Sequence, residues 1–158
     1  MVTKQVLKEF KIFKGLTDSE LEKIAGLCHE RTLKKGALLF TQGTKSTKLH
    51  LCRTGGADIT IQLFEPHGIE VTVHQLKAGE VYGWASLVKP NLFTASGKCV
   101  GKTEEIYIKA VDLRKLFNEN NHAGYVIMKN LAEVVSSRLT EHMKKLAVEI
   151  AIDIRKEW

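Results

Sequence analysis

Six histidines, three cysteines and one Gly-Lys-Thr run are the residues here whose types suit metal, nucleophilic or phosphate chemistry. Their spacing supports none of it. His29, His50, His67, His74, His122 and His142 form no H-x-H, no H-E-x-x-H and no cluster with cysteine, so a zinc or iron site has no local framework. Cys28, Cys52 and Cys99 are far apart and contain no C-x-x-C, the pattern of reduced thiols in a cytoplasmic protein. Gly101-Lys102-Thr103 has the ending of a phosphate-binding loop, but the glycine required five residues earlier is Ser96. No G-x-S-x-G elbow and no spaced carboxylate pair is present. The expectation is a non-enzyme without catalytic residues, cofactor or metal.

The elements around these residues belong to one domain, 1–158, because 158 residues suit a single core and leave no room for two. A content of 44% hydrophobic and 27% charged residues is that of a folded globular chain. The net charge of +6 permits polyanion binding, but it comes from 19 lysines and 5 arginines spread from Lys4 to Lys156. Base readers rely on the planar arginine fork, so no direct nucleic-acid partner is expected. No apolar run reaches the length of a membrane span and no signal-peptide core opens the chain; a cytoplasmic protein away from membranes is expected.

Three stretches follow from periodicity. Residues 1–32 read as helices: Val6, Leu7, Phe10 and Phe13 fall at helical spacing, and Thr17 with Glu20 forms a capping box before Leu21, Ile24 and Leu27. His29 reads as a helix-end or surface residue. Residues 33–110 read as short alternating strands broken by glycines, among them Leu49-His50-Leu51-Cys52, Ile59-Thr60-Ile61-Gln62-Leu63 and Ile69-Glu70-Val71-Thr72-Val73, with turns at Glu65-Pro66-His67-Gly68 and around Gly101. This is the signature of an antiparallel jelly roll, shared with cupins. Residues 111–158 return to helical period, with Asp112 capping a short helix and a long one from about His122. The long stripe includes Leu131, Val135, Leu139, Leu146 and Ile150, and past Ala147 the helix is apolar on most sides. A second copy of the chain is the expected cover, giving a homodimer.

Several segments carry a family resemblance. They are Phe13-Lys14-Gly15-Leu16-Thr17-Asp18-Ser19-Glu20-Leu21, Lys35-Gly36-Ala37-Leu38-Leu39-Phe40-Thr41-Gln42-Gly43, Leu49-His50-Leu51-Cys52-Arg53-Thr54-Gly55 and Ala78-Gly79-Glu80-Val81-Tyr82-Gly83. In this order they resemble the cyclic-nucleotide-binding-domain family of Crp/Fnr-type sensors over nearly the whole chain. The resemblance implies a mainly β, α+β fold: an eight-stranded antiparallel jelly-roll β-barrel, short N-terminal helices and a long C-terminal dimerisation helix.

The phosphate-binding cassette departs from the family pattern. Trp84 stands where the resemblance implies a Glu for the ribose hydroxyl, and Phe93 where it implies an Arg for the cyclic phosphate. Charged hydrogen bonds contribute roughly 1.5–3 kcal/mol each, so cyclic AMP or GMP is expected to bind about 10²–10⁴-fold more weakly than in intact members. The candidate ligand site is Gly83, Trp84, Ala85, Ser86, Leu87, Leu92, Phe93, Thr94 and Ala95, with His142 and Met143 facing it from the long helix. Three readings stay open: a different, partly apolar or aromatic small molecule; a ligand-free dimeric adaptor whose pocket Trp84 and Phe93 fill; and a weak or atypical cyclic-nucleotide binder. DNA-binding members continue into a helix-turn-helix after the long helix, whereas this sequence stops at Trp158, so control through a protein partner is expected.

Overall fold

The computed structural model describes residues 1–64 and 68–157. The chain opens with helix α1 (Lys4–Leu7), a 3₁₀ turn (Lys11–Phe13) and helix α2 (Asp18–Ala25). The capping box is realised: the Glu20 N–H donates to the Thr17 hydroxyl at 3.2 Å and the Thr17 N–H to Glu20 Oε2 at 2.9 Å. Eight strands follow: β1 (Cys28–Leu33), β2 (Leu38–Phe40), β3 (Lys48–Thr54), β4 (Gly56–Leu63), β5 (Ile69–Lys77), β6 (Val81–Tyr82), β7 (Ser96–Cys99) and β8 (Thr103–Lys109). Helices α3 (Ala110–Glu119) and α4 (Asn121–Lys156) complete the chain.

The strands form two antiparallel four-stranded sheets, ordered β1-β8-β3-β6 and β2-β7-β4-β5. This is the mainly β architecture with flanking helices expected from the sequence. The barrel is not closed: among the described residues no ladder joins the two sheets. Most of the larger core lies between the first sheet and the helices, where Leu49, Leu51, Ile106 and Ile108 meet Leu7, Ile24, Leu113 and Ile127. A smaller cluster of Leu39, Cys52, Ala57, Leu76, Tyr82 and Cys99 lies between the sheets.

Several local expectations are corrected. Residues 28–32, read as helical, begin β1, where His29 is a surface residue as expected and stacks on Tyr107 of the neighbouring β8 with ring centroids 5.0 Å apart. Asp112 does not cap α3; the N-cap is Lys109, and Asp112 sits in the first turn. The cap of α4 is Asn120, whose side chain accepts from the Ala123 N–H at 3.1 Å. The turn read at Glu65-Pro66-His67-Gly68 lies mostly outside the described residues.

One corner ties the N-terminal helices to the C-terminal ones. The Glu20 carboxylate accepts from Asn120 Nδ2 at 2.9 Å and from His122 Nδ1 at 2.8 Å. Burial pushes its pKa up, but these bonds and the backbone bond from Thr17 outweigh burial and hold it at about 2.

Candidate functional site

The cassette leaves β6 at Gly83, whose φ of +73° is a left-handed conformation that glycine adopts freely. Space requires glycine as well. A Cβ there would come within 2.8 Å of both His50 Cδ2 and the Lys48 carbonyl oxygen. His50 is buried, stacked on Tyr82 at 4.8 Å, and its Nδ1 lies 3.3 Å from Oε2 of the buried Glu105, though the two atoms do not align for a hydrogen bond. Arg31 Nε donates to the other Glu105 oxygen at 2.7 Å. The first sheet thus provides a firm floor for the start of the cassette.

A 3₁₀ turn, Trp84–Ser86, follows Gly83. It sends Ser86 inward, fully buried, and leaves Trp84 and Ala85 facing a cavity. Asn91, at a φ of +62°, closes the loop: its Nδ2 donates to the carbonyls of Ala85 and Val88, each at 2.8 Å. Asparagine tolerates this conformation better than most residues because its side chain bonds locally. Arg114 of α3 donates to the Ser86 carbonyl at 2.6 Å.

The cavity, about 310 Å³, lies between the second sheet, the cassette and α4. Its sheet wall is Phe40, Ile59, Ile61 and Val73; its cassette wall is Gly83, Trp84, Ala85, Phe93, Thr94 and Ala95. Helix α4 supplies Val135, Arg138, Leu139 and His142. Those four positions are spaced three and four apart and so share one helix face. Phe93 stacks on Phe40 with centroids 4.5 Å apart and planes at 12°, which lines the cavity without closing it. His142 Nε2 donates to the Val73 carbonyl at 2.9 Å, pinning α4 to β5.

Seven sequence-derived site residues therefore converge: Gly83, Trp84, Ala85, Phe93, Thr94, Ala95 and His142. Four do not. Ser86 is turned into the interior, Leu87 packs on the larger core, Leu92 is exposed beside Lys45, and Met143 lies one position off the cavity face of α4 and is exposed. The stripe read as a dimer seam also divides. Leu131 is buried in its own core, Val135 and Leu139 border the cavity yet are 37% and 59% exposed, and Leu146 and Ile150 are 59% and 52% exposed.

Arg138 is the residue that sequence reading missed. Its guanidinium carbon lies 4.8 Å from the centroid of the Trp84 ring, and Nη2 donates to Glu80 Oε1 at 3.3 Å. Glu80 also accepts from His74 Nε2 at 3.1 and 3.2 Å and from the Lys77 N–H at 2.7 Å. Burial raises the Glu80 pKa, but the His74 and Lys77 bonds and the nearby charges outweigh it and hold the carboxyl below its ordinary 4.5. Burial draws the Arg138 pKa below its ordinary value against the pull of Glu80 and Glu141. The available signal was an arginine, one of 5, set within an apolar helical stripe. Among the described residues no group of three or more His, Cys, Asp or Glu is placed to hold a metal ion.

Known proteins are similar to this chain in sequence and in fold. The chain is 27% identical over 135 residues to glutaminase 1 of Bradyrhizobium diazoefficiens, a match that covers 84% of this chain and 21% of that enzyme. The chain thus spans about a fifth of that relative's length. A protein of Geobacter metallireducens GS-15 assigned as cyclic nucleotide-binding superposes with a TM-score of 0.75 at 27% identity, over 88% of this chain and 99% of that one. The catabolite activator protein of Thermus thermophilus superposes with a TM-score of 0.73 at 25% identity, over 87% of this chain and 62% of that one. Residues 30–120 match the model of the cyclic nucleotide-binding domain, a span that takes in both sheets, the cassette and α3. By its sequence and its fold, the chain belongs to the cyclic nucleotide-binding domain family.

Proposed function

We propose that this chain is a single, non-catalytic sensor domain whose cavity takes a small, partly apolar or aromatic molecule in place of cyclic AMP or GMP. The observation that carries this reading is the open cavity beside Trp84 and Phe93, about 310 Å³ and walled mainly by apolar side chains. That volume lies at the lower end of small-molecule sites, and such sites combine apolar walls with a few placed polar groups. Trp84 and Phe93 occupy the two positions from which a charged pair would hold ribose and cyclic phosphate in the family pattern. An indole and a phenyl ring supply neither a carboxylate nor a guanidinium.

The exposed apolar half of α4 supports a homodimer. Leu146, Ile150 and Ile154 are each more than half exposed, and a second α4 is a cover of matching length and character. The domain would pass its signal through that helix to a protein partner or to an attached domain, with no direct contact to nucleic acid or membrane, in the cytoplasm. The glutaminase relative supports a regulatory module set within a longer chain, since the matched segment is a fifth of that enzyme.

The stacking of Phe93 on Phe40 favours a second reading, in which the rings begin to fill the pocket and the protein acts as a ligand-free adaptor. Tryptophan fluorescence, to which Trp84 in the cavity wall and Trp158 both contribute, tests the main reading against the family's usual ligands. Cyclic AMP and GMP are expected to give no saturable change below about 100 μM, and saturation at low micromolar concentration would overturn the proposal.

A further inference from the structure

Within the cavity the cationic and apolar features meet at one residue. Arg138 projects from the helix face that carries Val135, Leu139 and His142, and one face of its guanidinium lies over Trp84. An arginine fork has five N–H donors and binds a carboxylate through two parallel bonds of about 2.7–2.9 Å. Among the described residues its one recorded acceptor is Glu80, reached by a single nitrogen at 3.3 Å. That contact is the longest of those Glu80 makes, because His74 and the Lys77 N–H hold the same carboxylate at 2.7 to 3.2 Å. Arg138 is thus desolvated, positioned and under-used, while Glu80 keeps two partners if Arg138 leaves it.

We propose that Arg138 reads the charge of the ligand, which is a small aromatic or apolar acid whose carboxylate takes the guanidinium from Glu80. The inference rests on the reading of the cavity as a ligand site. Arg138 is itself largely buried and the cavity it lines has mainly apolar walls, including Ile59, Ile61, Val73 and Phe93. An ion pair is stronger in such surroundings than in bulk solvent. One guanidinium neutralises one negative charge, and its planar fork matches a planar carboxylate. The apolar part of the acid then lies against the Phe93 and Trp84 rings. Exchange of partner at Arg138 also reports occupancy to α4, since the residue that gains the ligand is the one that loses β6-side Glu80.

Calorimetric titration of the full chain with 2-naphthoate and with its uncharged isostere 2-naphthamide tests this. The acid is expected to bind about ten- to a hundredfold more tightly than the amide. In Arg138→Gln the ratio of the two affinities is expected to fall to near one, and in Glu80→Gln the acid is expected to gain affinity because its competitor is gone. Equal binding of acid and amide by the unmodified protein would overturn the inference and leave the cavity reading intact. Failure of both compounds to bind would overturn both. A preference for the acid that survives Arg138→Gln would assign the charge reading to another residue.

Discussion

Arg138 and Trp84 join the long helix to the cassette through a cation–π contact, with the guanidinium carbon 4.8 Å from the ring centroid. Two elements more than fifty residues apart in sequence are therefore held at one point, on the rim of the cavity.

Removing that contact has a measurable cost. A cation–π pair contributes about 0.5–2 kcal/mol, more when desolvated, and the Glu80 contact adds a smaller amount. Arg138→Ala is expected to lower stability by about 1–2 kcal/mol, read from urea unfolding as a lower midpoint with an unchanged slope. An unchanged midpoint would mean that the contact is not maintained in solution.

Gly83 tests the floor of the cassette. Gly83→Ala places a Cβ within 2.8 Å of His50 and the Lys48 carbonyl at a φ of +73°, so a loss of more than about 2 kcal/mol is expected. Gly36→Ala is the control, because its φ is +82° but its Cβ meets nothing within 4 Å. It should lose only the conformational part, about 1 kcal/mol. Similar losses at both sites would show that the crowding at His50 is relieved by small movements.

Acid should loosen the corner at Glu20. Its folded pKa of about 2 lies below its ordinary 4.5, so the unfolded chain takes up the proton first as pH falls. The contribution is complete above about pH 4.5 and is lost as pH falls toward 2. Glu20→Gln is expected to be less stable than the unmodified protein at pH 6 by about 1–3 kcal/mol, with the gap narrowing toward pH 2.5. Denaturation curves at both pH values check this, and a gap that stays constant would remove the carboxylate charge from the account.

The thiols should be slow to react. Burial, with a smaller contribution from Glu30, holds Cys28 up to about 12, and burial with Glu80, Glu105 and Cys99 holds Cys52 up to about 11. Thiolate is the reactive form, so native protein at pH 8 is expected to resist iodoacetamide until it is unfolded. Rapid labelling of either cysteine in the folded protein would contradict the burial described for them.

Association can be read separately. Leu146→Glu combined with Ile150→Glu is expected to convert the proposed dimer to monomer in sedimentation, with the fold retained because both positions are exposed in the single chain. A monomer before substitution would leave the apolar half of α4 without this explanation.

The features legible in the sequence were those encoded locally. The Thr17–Glu20 box needs only a few neighbouring residues and appears as read. The two alternating segments do form strands β4 and β5, although a register shift at Ile59/Thr60 breaks the alternation and Leu63, Ile69 and Val71 are exposed. Strand β1 was hidden because Cys-His-Glu-Arg-Thr-Leu has a half-exposed, largely polar pattern, and its strand character comes from pairing with β8 more than seventy residues away. At the site, Trp84 and Phe93 stand out in the sequence as bulky aromatics, and both line the cavity. Ser86, Leu87 and Met143 were misplaced because which way a short 3₁₀ turn or a helix face points depends on what packs against it. Arg138 was hidden because its significance arises only where β5, the cassette and α4 converge.

The packing of α4 is uneven along its length. Its buried residues, Ala123, Gly124, Ile127 and Leu131, all lie in its first third. Beyond Arg138, eighteen residues run on to Lys156, about 27 Å of helix at 1.5 Å per residue. The helix is a lever with its fulcrum in the core and Arg138 close to it. Pivoting by about 10° at His142, where α4 is last bonded to the sheet among the described residues, would carry the far end, about 21 Å on, sideways by about 4 Å, most of one helical pitch. A displacement too small to disturb the cavity walls would therefore reach the tip at a size that another protein surface can recognise.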